Sequence, residues 1–201
     1  MTLTLPFSEA CQRNQSIILD VLEPYFSNID SVLEIGSGTG QHAVYFSKAK
    51  PHLSWQTSDQ TSYLEGLNAQ LQNANVANIK YPFELNVNQS PWVKEGTRYS
   101  GIYTANTFHI MTWSDVQAFF NGLPSVSKDN AYLFVYGPFK YNGAFTSESN
   151  SKFDETLRAR ECGSAIRDFE AINELANAVG FDLLSDTPMP ANNQCIVWQR
   201  R

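Results

Sequence analysis

Three glycines at every second position follow an apolar, β-branched run, in the segment Glu34-x-Gly36-x-Gly38-x-Gly40. The order of strand, glycine turn and helix is the arrangement with which doubly wound α/β sheets bind nucleotide-like ligands. A dinucleotide-binding loop would have a glycine at position 41 to receive the pyrophosphate, but Gln41 stands there, and no Gly-Lys-Ser/Thr phosphate loop occurs. The spacing therefore favours a cofactor without phosphates, and S-adenosylmethionine fits that description.

Two carboxylates stand where such a cofactor needs them. Glu34 ends the first predicted strand and can attract the ammonium group of the cofactor, directly or through water. Asp59 ends the second strand and can accept hydrogen bonds from both ribose hydroxyls. Each also has a structural interpretation, because Glu34 can be a solvated strand-end acid, Asp59 a helix N-cap and the glycines a tight turn. Their joint order and spacing favour binding of the cofactor by Glu34, Gly36, Ser37, Gly38, Gly40 and Asp59.

The elements around this loop alternate between β-rich apolar runs and amphipathic stretches with helical spacing. The pattern predicts strands at residues 31–35, 53–58, 79–87, 101–105, 131–136, 181–185 and 195–199, and helices at residues 17–25, 41–46, 63–74, 114–123 and 168–179. The alternation predicts a Rossmann-like α/β fold, with a doubly wound, mostly parallel seven-stranded sheet and helices on both faces. The last two strands are joined without a helix, which predicts an antiparallel C-terminal edge hairpin.

The length of 201 residues predicts one domain, 1–201, that begins with a helical segment at residues 1–30. Residues 137–167 are polar and rich in Gly, Ser and Asn, with a short helix predicted near residues 153–160. Because this stretch follows the carboxyl end of a strand, we expect it to form a substrate-side insertion, as a wall or a lid that orders with ligand.

The composition of the chain argues against several classes of binding partner. A net charge of -6 offers no basic face to neutralise nucleic-acid phosphates. Three cysteines without a C-x-x-C pair predict reduced thiols rather than disulfides or a zinc site. No apolar run approaches the roughly 18 residues that a membrane span requires. We therefore expect a cytoplasmic protein that acts on a small molecule, without nucleic acid, membrane or metal, whose oligomeric state the sequence leaves open.

The chain resembles a methyltransferase-like family of class I, the domain of unknown function 938, to which methyltransferase-like protein 26 also belongs. The resemblance runs through nearly the whole chain and implies the class I fold and S-adenosylmethionine as cofactor, while it leaves the substrate open. The motifs that carry it are Arg13-Asn14, Val32-Leu-Glu-Ile-Gly-Ser-Gly-Thr-Gly-Gln-His-Ala43, Trp55-Gln-Thr-Ser-Asp59, Asn106-x-x-His-Ile110, Tyr136-Gly-Pro-Phe139, Thr146-Ser-x-Ser-Asn150, Leu157-Arg-x-Arg160, Ile166-Arg-Asp-x-Glu170 and Met189-Pro-Ala-Asn-Asn193.

Two departures from the pattern concern the site. Class I enzymes often carry an acid near the adenine after the third strand, where this chain has Asn86 followed by Val87. We expect both residues near the adenine, because an amide can still form a hydrogen bond with its amino group. Cys162-Gly163 stands where family members often have a proline-bearing turn, which changes the expected shape of that loop.

Methyl transfer from a sulfonium needs alignment and exclusion of water more than acid catalysis, and it needs no metal. His109 follows the fourth strand and is the best candidate for a base or an orienting partner, with a structural histidine as the alternative. Asn106 can contact the methionine part of the cofactor, and Asp168 has a helix cap as its alternative role. The catalytic candidates are His109, Tyr136 and Asp168, and the substrate-binding candidates are Trp113, Arg167, Asn192 and Asn193.

These residues predict an S-adenosylmethionine-dependent methyltransferase that acts on a small polar molecule by O- or N-methylation. Two alternatives stay open: a protein methyltransferase, and a non-catalytic module that binds S-adenosylmethionine and a partner. An intact cofactor loop beside an unformed acceptor pocket would be the sign of such a module. The polar residues in the late loops favour an enzyme.

Overall fold

The computed structural model describes residues 5–160 and 162–201, which form a large β-sheet packed between helices. The helices are α1 (Glu9–Phe26), α2 (Gln41–Ala49), α3 (Thr61–Ala74), α4 (Trp113–Val126), α5 (Glu148–Arg158) and α6 (Phe169–Ala178). The strands are β1 (Ser31–Ile35), β2 (Ser54–Asp59), β3 (Ile79–Glu84), β4 (Tyr99–Ala105), β5 (Ser127–Gly137), β6 (Phe139–Tyr141), β7 (Ala144–Phe145), β8 (Arg167–Asp168), β9 (Phe181–Met189) and β10 (Asn193–Arg200). Across these described residues, no helix has the length and apolar character needed to cross a bilayer.

The large sheet has seven strands in the order β3-β2-β1-β4-β5-β10-β9. Strand β1 pairs in parallel with both β2 and β4, so the chain reverses its direction of winding at β1. This reversal is the place where doubly wound sheets bind ligands, beside the carboxyl ends of the strands. Strand β10 is antiparallel to both β5 and β9. The predicted Rossmann-like fold with its antiparallel C-terminal hairpin is confirmed.

Successive residues of the central strands face two separate apolar clusters, one on each side of the sheet. In β1, Val32 packs in the cluster that contains Ile18 and Leu22 of α1, whereas Leu33 and Ile35 pack in the cluster with α4 and α6. Both faces of the strands are therefore buried, and the loops at the strand ends are left to hold a ligand.

Five strands of the large sheet differ in length from the sequence prediction, since β3 is shorter and β4, β5, β9 and β10 are longer. Strand β3 ends at Glu84 rather than at residue 87, because the side chain of Asn86 accepts a hydrogen bond from the backbone N–H of Asn88 at 3.0 Å and forms a local turn. Strand β9 extends to Met189, past Pro188. An edge strand pairs on one side only, so it tolerates the missing N–H of a proline.

The insertion at residues 137–167 is more regular than predicted. Its helix, α5, begins at Glu148, five positions before the predicted start, and the side chain of the N-cap Ser147 accepts a hydrogen bond from the backbone N–H of Asn150 at 3.1 Å. Strands β6 and β7 precede this helix. Strand β6 also pairs with β8, so a three-stranded sheet in the order β7-β6-β8 joins the beginning of the insertion to its end.

Candidate functional site

The glycine loop between β1 and α2 has a backbone that glycine adopts most readily, with φ of 76°, 54° and 75° at Gly36, Gly38 and Gly40. A Cβ atom on Gly36 would lie 2.6 Å from Cγ2 of Thr107, and one on Gly40 would lie 2.8 Å from Cδ1 of Leu67. A Cβ atom on Gly38 would meet nothing within 4 Å. The outer glycines therefore permit close packing, whereas Gly38 faces open space in which a ligand can approach the backbone.

Asp59 ends β2 and is fixed against this loop. One carboxylate oxygen accepts a hydrogen bond from the backbone N–H of Gly38 at 2.7 Å, and the other accepts one from Gln60 at 2.7 Å. Burial raises the pKa of Asp59, and the two hydrogen bonds act in the opposite direction. Each carboxylate oxygen keeps a second lone pair, so the side chain can still accept hydrogen bonds from a pair of ligand hydroxyls.

Glu34 is buried at 2% exposure, and only one of its oxygens is engaged by described residues. Its Oε2 accepts hydrogen bonds from Ser37 Oγ at 3.0 Å and from Trp55 Nε1 at 3.0 Å. Burial raises the pKa of Glu34 to about 7, the two hydrogen bonds lower it, and the nearby Asp59 raises it. A cation at Oε1 would favour the ionised carboxylate, so the site is suited to a ligand ammonium group.

The beginning of α1 is bound to the glycine loop, which the sequence analysis missed. The backbone N–H of Ser8 donates to Gln41 Oε1 at 2.6 Å, and Gln41 Nε2 donates to the carbonyl of Ser8 at 3.2 Å. Thr39 Oγ1 also donates to Gln41 Oε1. Burial raises the pKa of the Cys11 thiol, and the charge of Glu34 raises it further, so Cys11 lies near the same carboxylate. Helix α1 therefore forms one wall of the candidate cofactor site.

A chain of buried polar side chains lies behind the loop and was also missed. Burial lowers the pKa of His42 to about 4, so its ring is neutral and one nitrogen carries a hydrogen. His42 Nε2 donates to Asn14 Oδ1 at 2.7 Å, and the hydroxyl of Tyr103 donates to Nδ1 at 3.1 Å. Asn14 also lies, with Asn193, beside the hydroxyl of Tyr136, whose pKa is raised by burial. The catalytic candidate Tyr136 is thereby linked to α1 and α2.

His109 lies beyond the carboxyl end of β4, in residues 106–112, which we call the acceptor loop. Its Nδ1 is 3.8 Å from the position of a Cβ on Gly137, at the end of β5, and its ring centroid is 5.4 Å from that of Phe153 in α5. The same loop contacts the glycine loop through Thr107, as described above. The structure thus brings His109 to the edge of the sheet where the glycine loop lies, as its sequence position predicted.

The surroundings of His109 keep its ring neutral. The side chain is 7% exposed, and burial lowers its pKa to about 4. The positive charges of Arg167 and Arg160 lower it further. Within residues 5–160 and 162–201 the ring forms no hydrogen bond. Neither ring nitrogen is among the fully buried polar atoms that lack a partner. Both nitrogens are therefore available to a ligand.

Two residues at the end of the insertion hold the acceptor loop in place. Arg167 donates from Nε to the carbonyl of Phe108 at 3.0 Å and from Nη2 to the carbonyl of Met111. Ser164 Oγ donates to the carbonyl of Ile110 at 2.7 Å. Arg167, predicted as a substrate-binding residue, is therefore at least a positioning residue for the loop that carries His109.

Asp154 supports this arrangement from α5, and its removal is expected to loosen it. Its Oδ1 accepts from the backbone N–H of Ile166 at 2.6 Å, and its Oδ2 accepts from Arg158 Nε at 2.6 Å. Because Asp154→Ala leaves a buried N–H without an acceptor, the free energy of unfolding should fall by about 1–3 kcal/mol. Chemical denaturation and amide hydrogen exchange at Ile166 measure both effects. The exposed neighbour variant Glu155→Ala should change neither, and unchanged exchange in Asp154→Ala would contradict the expectation.

The remaining predicted cofactor residues lie at the ends of β3 and β4. Asn106 has a φ of 57° and donates its backbone N–H to the carbonyl of Tyr136 at 2.8 Å. The Asn86 side chain makes the turn described above, and the carbonyl of Val87 accepts a hydrogen bond from Trp92 Nε1 at 3.3 Å. Roles for Asn86, Val87 and Asn106 in cofactor binding stay predictions.

The late-loop candidates form hydrogen bonds with other residues of the chain. The carboxylate of Asp168 accepts from the backbone N–H of Gly143 at 2.8 Å, and although Asp168 occupies the N-cap position of α6 it forms no cap bond. Asn192 Nδ2 donates to Ser149 Oγ at 3.0 Å. Asn193 Nδ2 donates to backbone carbonyls of its own turn. Their contacts with substrate stay predictions as well.

Solved methyltransferase structures share this fold at low sequence identity. An O-methyltransferase family protein from Burkholderia thailandensis has a TM-score of 0.84 at 12% identity, over 95% of this chain and 56% of its own. Mitomycin 7-O-methyltransferase MmcR has 0.78 at 17%, over 94% and 54%. Human N-acetylserotonin methyltransferase, solved in complex with S-adenosylmethionine, has 0.78 at 12%, over 96% and 53%. This chain therefore spans about half the length of these proteins.

A family model described as a protein of unknown function (DUF938) matches residues 5–200. The match includes the glycine loop, the acceptor loop and the insertion. The more specific resemblance to methyltransferase-like protein 26 stays a prediction. The chain belongs to the DUF938 family.

Proposed function

We propose that this chain is an S-adenosylmethionine-dependent methyltransferase that methylates a small molecule. The observation that carries the proposal is the open space at Gly38, whose backbone N–H donates to the carboxylate of Asp59. The same glycine loop contacts Glu34 through Ser37 and the acceptor loop through Gly36. The similar solved structures support it, because they are methyltransferases of the same fold and one of them holds S-adenosylmethionine.

The residues present fit this cofactor. Glu34 Oε1 can accept a hydrogen bond from its ammonium group, the backbone at Gly38 allows the ribose and methionine portions to approach closely, and Asp59 retains lone pairs for the ribose hydroxyls. When bound, S-adenosylmethionine supplies a methyl group on a positively charged sulfur. The protein contributes to the reaction by aligning the reactants and excluding water, and the wall formed by α1 helps to exclude water.

The acceptor would lie beside His109, at the carboxyl ends of β4 and β5. A neutral imidazole can donate a hydrogen bond to an acceptor oxygen or accept one from a hydroxyl. Arg167 and Ser164 hold the loop so that the ring keeps its place. The O-methyltransferases among the similar structures support oxygen as the acceptor atom.

Calorimetry with S-adenosylmethionine, its demethylated product S-adenosylhomocysteine and NAD tests cofactor choice. We expect both sulfur compounds to bind and NAD to give no heat. A screen with methyl-labelled cofactor against a small-metabolite extract and against total cell protein then tests the acceptor. Label in small molecules supports the proposal, label in protein alone favours a protein methyltransferase, and label in neither favours a binding module.

The variant Gly38→Ala tests the location of the cofactor. A methyl group there would occupy the open space, so we expect S-adenosylhomocysteine to bind at least about tenfold more weakly, a change of roughly 1.4 kcal/mol. Gly143→Ala is the matched control, because Gly143 also has a positive φ, of 75°, and equally open surroundings. Both variants should lose about 1 kcal/mol of stability from left-handed backbone strain. Equal cofactor affinity in the two variants would place the ligand elsewhere.

A further inference from the structure

Arg167 carries a buried positive charge that no described acid pairs with directly. Its side chain is 9% exposed, and its guanidinium donates to backbone carbonyls, those of Phe108, Met111 and Gly163. Across residues 5–160 and 162–201, no carboxylate oxygen lies within 4.0 Å of it. Burial of a charge is unfavourable unless an opposite charge compensates it. The surroundings of Arg167 therefore favour an anionic ligand.

The two acids whose charges act on Arg167 are engaged by other groups. Asp154 accepts hydrogen bonds from Arg158 Nε and from the backbone N–H of Ile166. Asp115 accepts from Asn88 Nδ2 at 2.7 Å and from the backbone N–H of Thr112, the N-cap of α4. Neither carboxylate forms an ion pair with Arg167. Both of these carboxylates therefore already form hydrogen bonds that stabilise the fold.

The same charges disfavour an amine acceptor. An amine arrives at neutral pH as an ammonium ion, which Arg167 and Arg160 would repel and which neutral His109, with its lowered pKa, is poorly matched to deprotonate. An ionised oxygen already carries its attacking electron pair. The net change is then one C–O bond formed for one C–S bond broken, with the C–S electron pair left on sulfur and no proton to remove.

Exposed apolar side chains border this charge. Phe153, Ile110 and Trp113 are 37%, 48% and 37% exposed. The Phe153 ring contacts the ring of His109, and Cζ of Arg167 lies 6.0 Å from the centroid of the Trp113 ring. Flat apolar surfaces beside a cation suit a planar ring that carries a negative charge.

We propose that the acceptor is a small aromatic anion, an aryl carboxylate or a phenolate, bound beside Phe153 and Trp113 with its charged oxygen toward Arg167. This inference rests on the proposed function and names the substrate class of the same site. It narrows the predicted acceptor atom from oxygen or nitrogen to an ionised oxygen.

The test is equilibrium binding of four probes to protein saturated with S-adenosylhomocysteine. Benzoate, benzyl alcohol and benzylamine share one ring and differ in charge, and 4-nitrophenolate distinguishes a phenolate from a carboxylate. We expect benzoate, 4-nitrophenolate or both to bind at least tenfold more tightly than the alcohol and the amine. Their affinity should fall as salt is added, since a charge interaction carries the preference.

Two variants of Arg167 separate its charge from its hydrogen bonds to the acceptor loop. Arg167→Gln should lose at least tenfold in affinity for the anionic probe, whereas Arg167→Lys, which keeps the charge, should retain most of it. Arg98→Gln is the matched control and should bind the probe like wild type, because Arg98 also donates to backbone carbonyls, those of Pro124 and Ser127, but lies before β4 at the opposite end of the sheet. Glu161→Gln should likewise leave the affinity unchanged. A gain there would mean that Glu161 neutralises Arg167, which would overturn the inference.

The outcomes separate this inference from the proposed function. If wild-type protein does not bind S-adenosylhomocysteine, the proposed function fails and the inference falls with it. If the cofactor product binds but benzylamine binds as well as benzoate, or none of the four probes binds, the inference alone fails. Equal losses of the anionic probe in Arg167→Lys and Arg167→Gln would also overturn it, because loop geometry rather than charge would then explain the effect.

Discussion

The variant Glu34→Gln is expected to bind S-adenosylhomocysteine about 10- to 100-fold more weakly than wild type, while its unliganded form becomes more stable above pH 7. The weaker binding follows from loss of a charge-assisted hydrogen bond to the ligand ammonium, worth about 1.5–3 kcal/mol. The gain in stability follows from burial. A glutamine keeps an oxygen for Ser37 and Trp55 but never has to carry a buried charge.

The pH dependence fixes the sign of this effect. Burial raises the pKa of Glu34 from its ordinary 4.5 to about 7, so the folded protein holds the proton more tightly than the unfolded chain. The stability that comes from this preference is complete below about pH 4.5 and is lost as the pH rises through 7, by roughly 3 kcal/mol in all. The melting temperature of unliganded wild type should therefore fall more steeply between about pH 4.5 and pH 7 than that of Glu34→Gln, and the two curves should run parallel above that range.

Melting curves and calorimetry at each pH measure both effects on the same samples. The control is Glu174→Gln, which removes a carboxylate from the exposed face of α6 and should change neither stability nor cofactor affinity appreciably. If Glu34→Gln bound the cofactor product as tightly as wild type, Glu34 would have no part in recognition of the ammonium group.

The second large effect is expected for His109→Asn, which should lower kcat about 10- to 100-fold and leave the affinity for S-adenosylhomocysteine within about twofold. A hydrogen bond from the neutral imidazole to an ionised acceptor oxygen is worth about 1.5–3 kcal/mol, which sets that range. Because the pKa of His109 is about 4, the rate should show no inflection from this group between about pH 6 and pH 8.

The measurement needs an acceptor, which the label screen or the probe series supplies. His52→Asn is the matched control, since His52 is exposed and reaches only a backbone carbonyl of α1. Loss of thermal stability and cofactor affinity together in His109→Asn would point to a structural histidine. Unchanged turnover would remove His109 from the reaction and leave alignment alone.

The part of the site that depends on local order was predictable from the sequence. A β-rich run followed by alternate glycines predicted the glycine loop. The positions of Glu34 and Asp59 at two strand ends predicted that carboxylates lie beside this loop. The structure brings Glu34, Gly38 and Asp59 together because parallel strands end at the same edge of a sheet. The mostly parallel sheet with helices on both faces also followed from the alternation of strands and helices, since short connections leave few ways to wind such a sheet.

The long-range hydrogen bonds were not predictable. Gln41 pairs with Ser8 across 33 residues, and Arg167 reaches the carbonyl of Phe108 across 59. A sequence pattern of helices and strands carries no signal for which carbonyl a guanidinium will reach, because that depends on how α1 and the insertion pack. The single hint was Gln41, which stands where a dinucleotide loop has glycine. It excluded one ligand class without revealing that the side chain holds α1.

The hydrogen bonds from His42 to Asn14 and from Tyr103 to His42 have a consequence for the history of the family. Each of the three side chains is a hydrogen-bond partner of another inside the core. Replacing one alone therefore leaves a buried polar atom without a partner, which costs about 1–3 kcal/mol of stability. Replacing all three by apolar residues removes that penalty. Among relatives, therefore, positions 14, 42 and 103 should be inherited as a unit and should change together, with single replacements the rarest combination in an alignment.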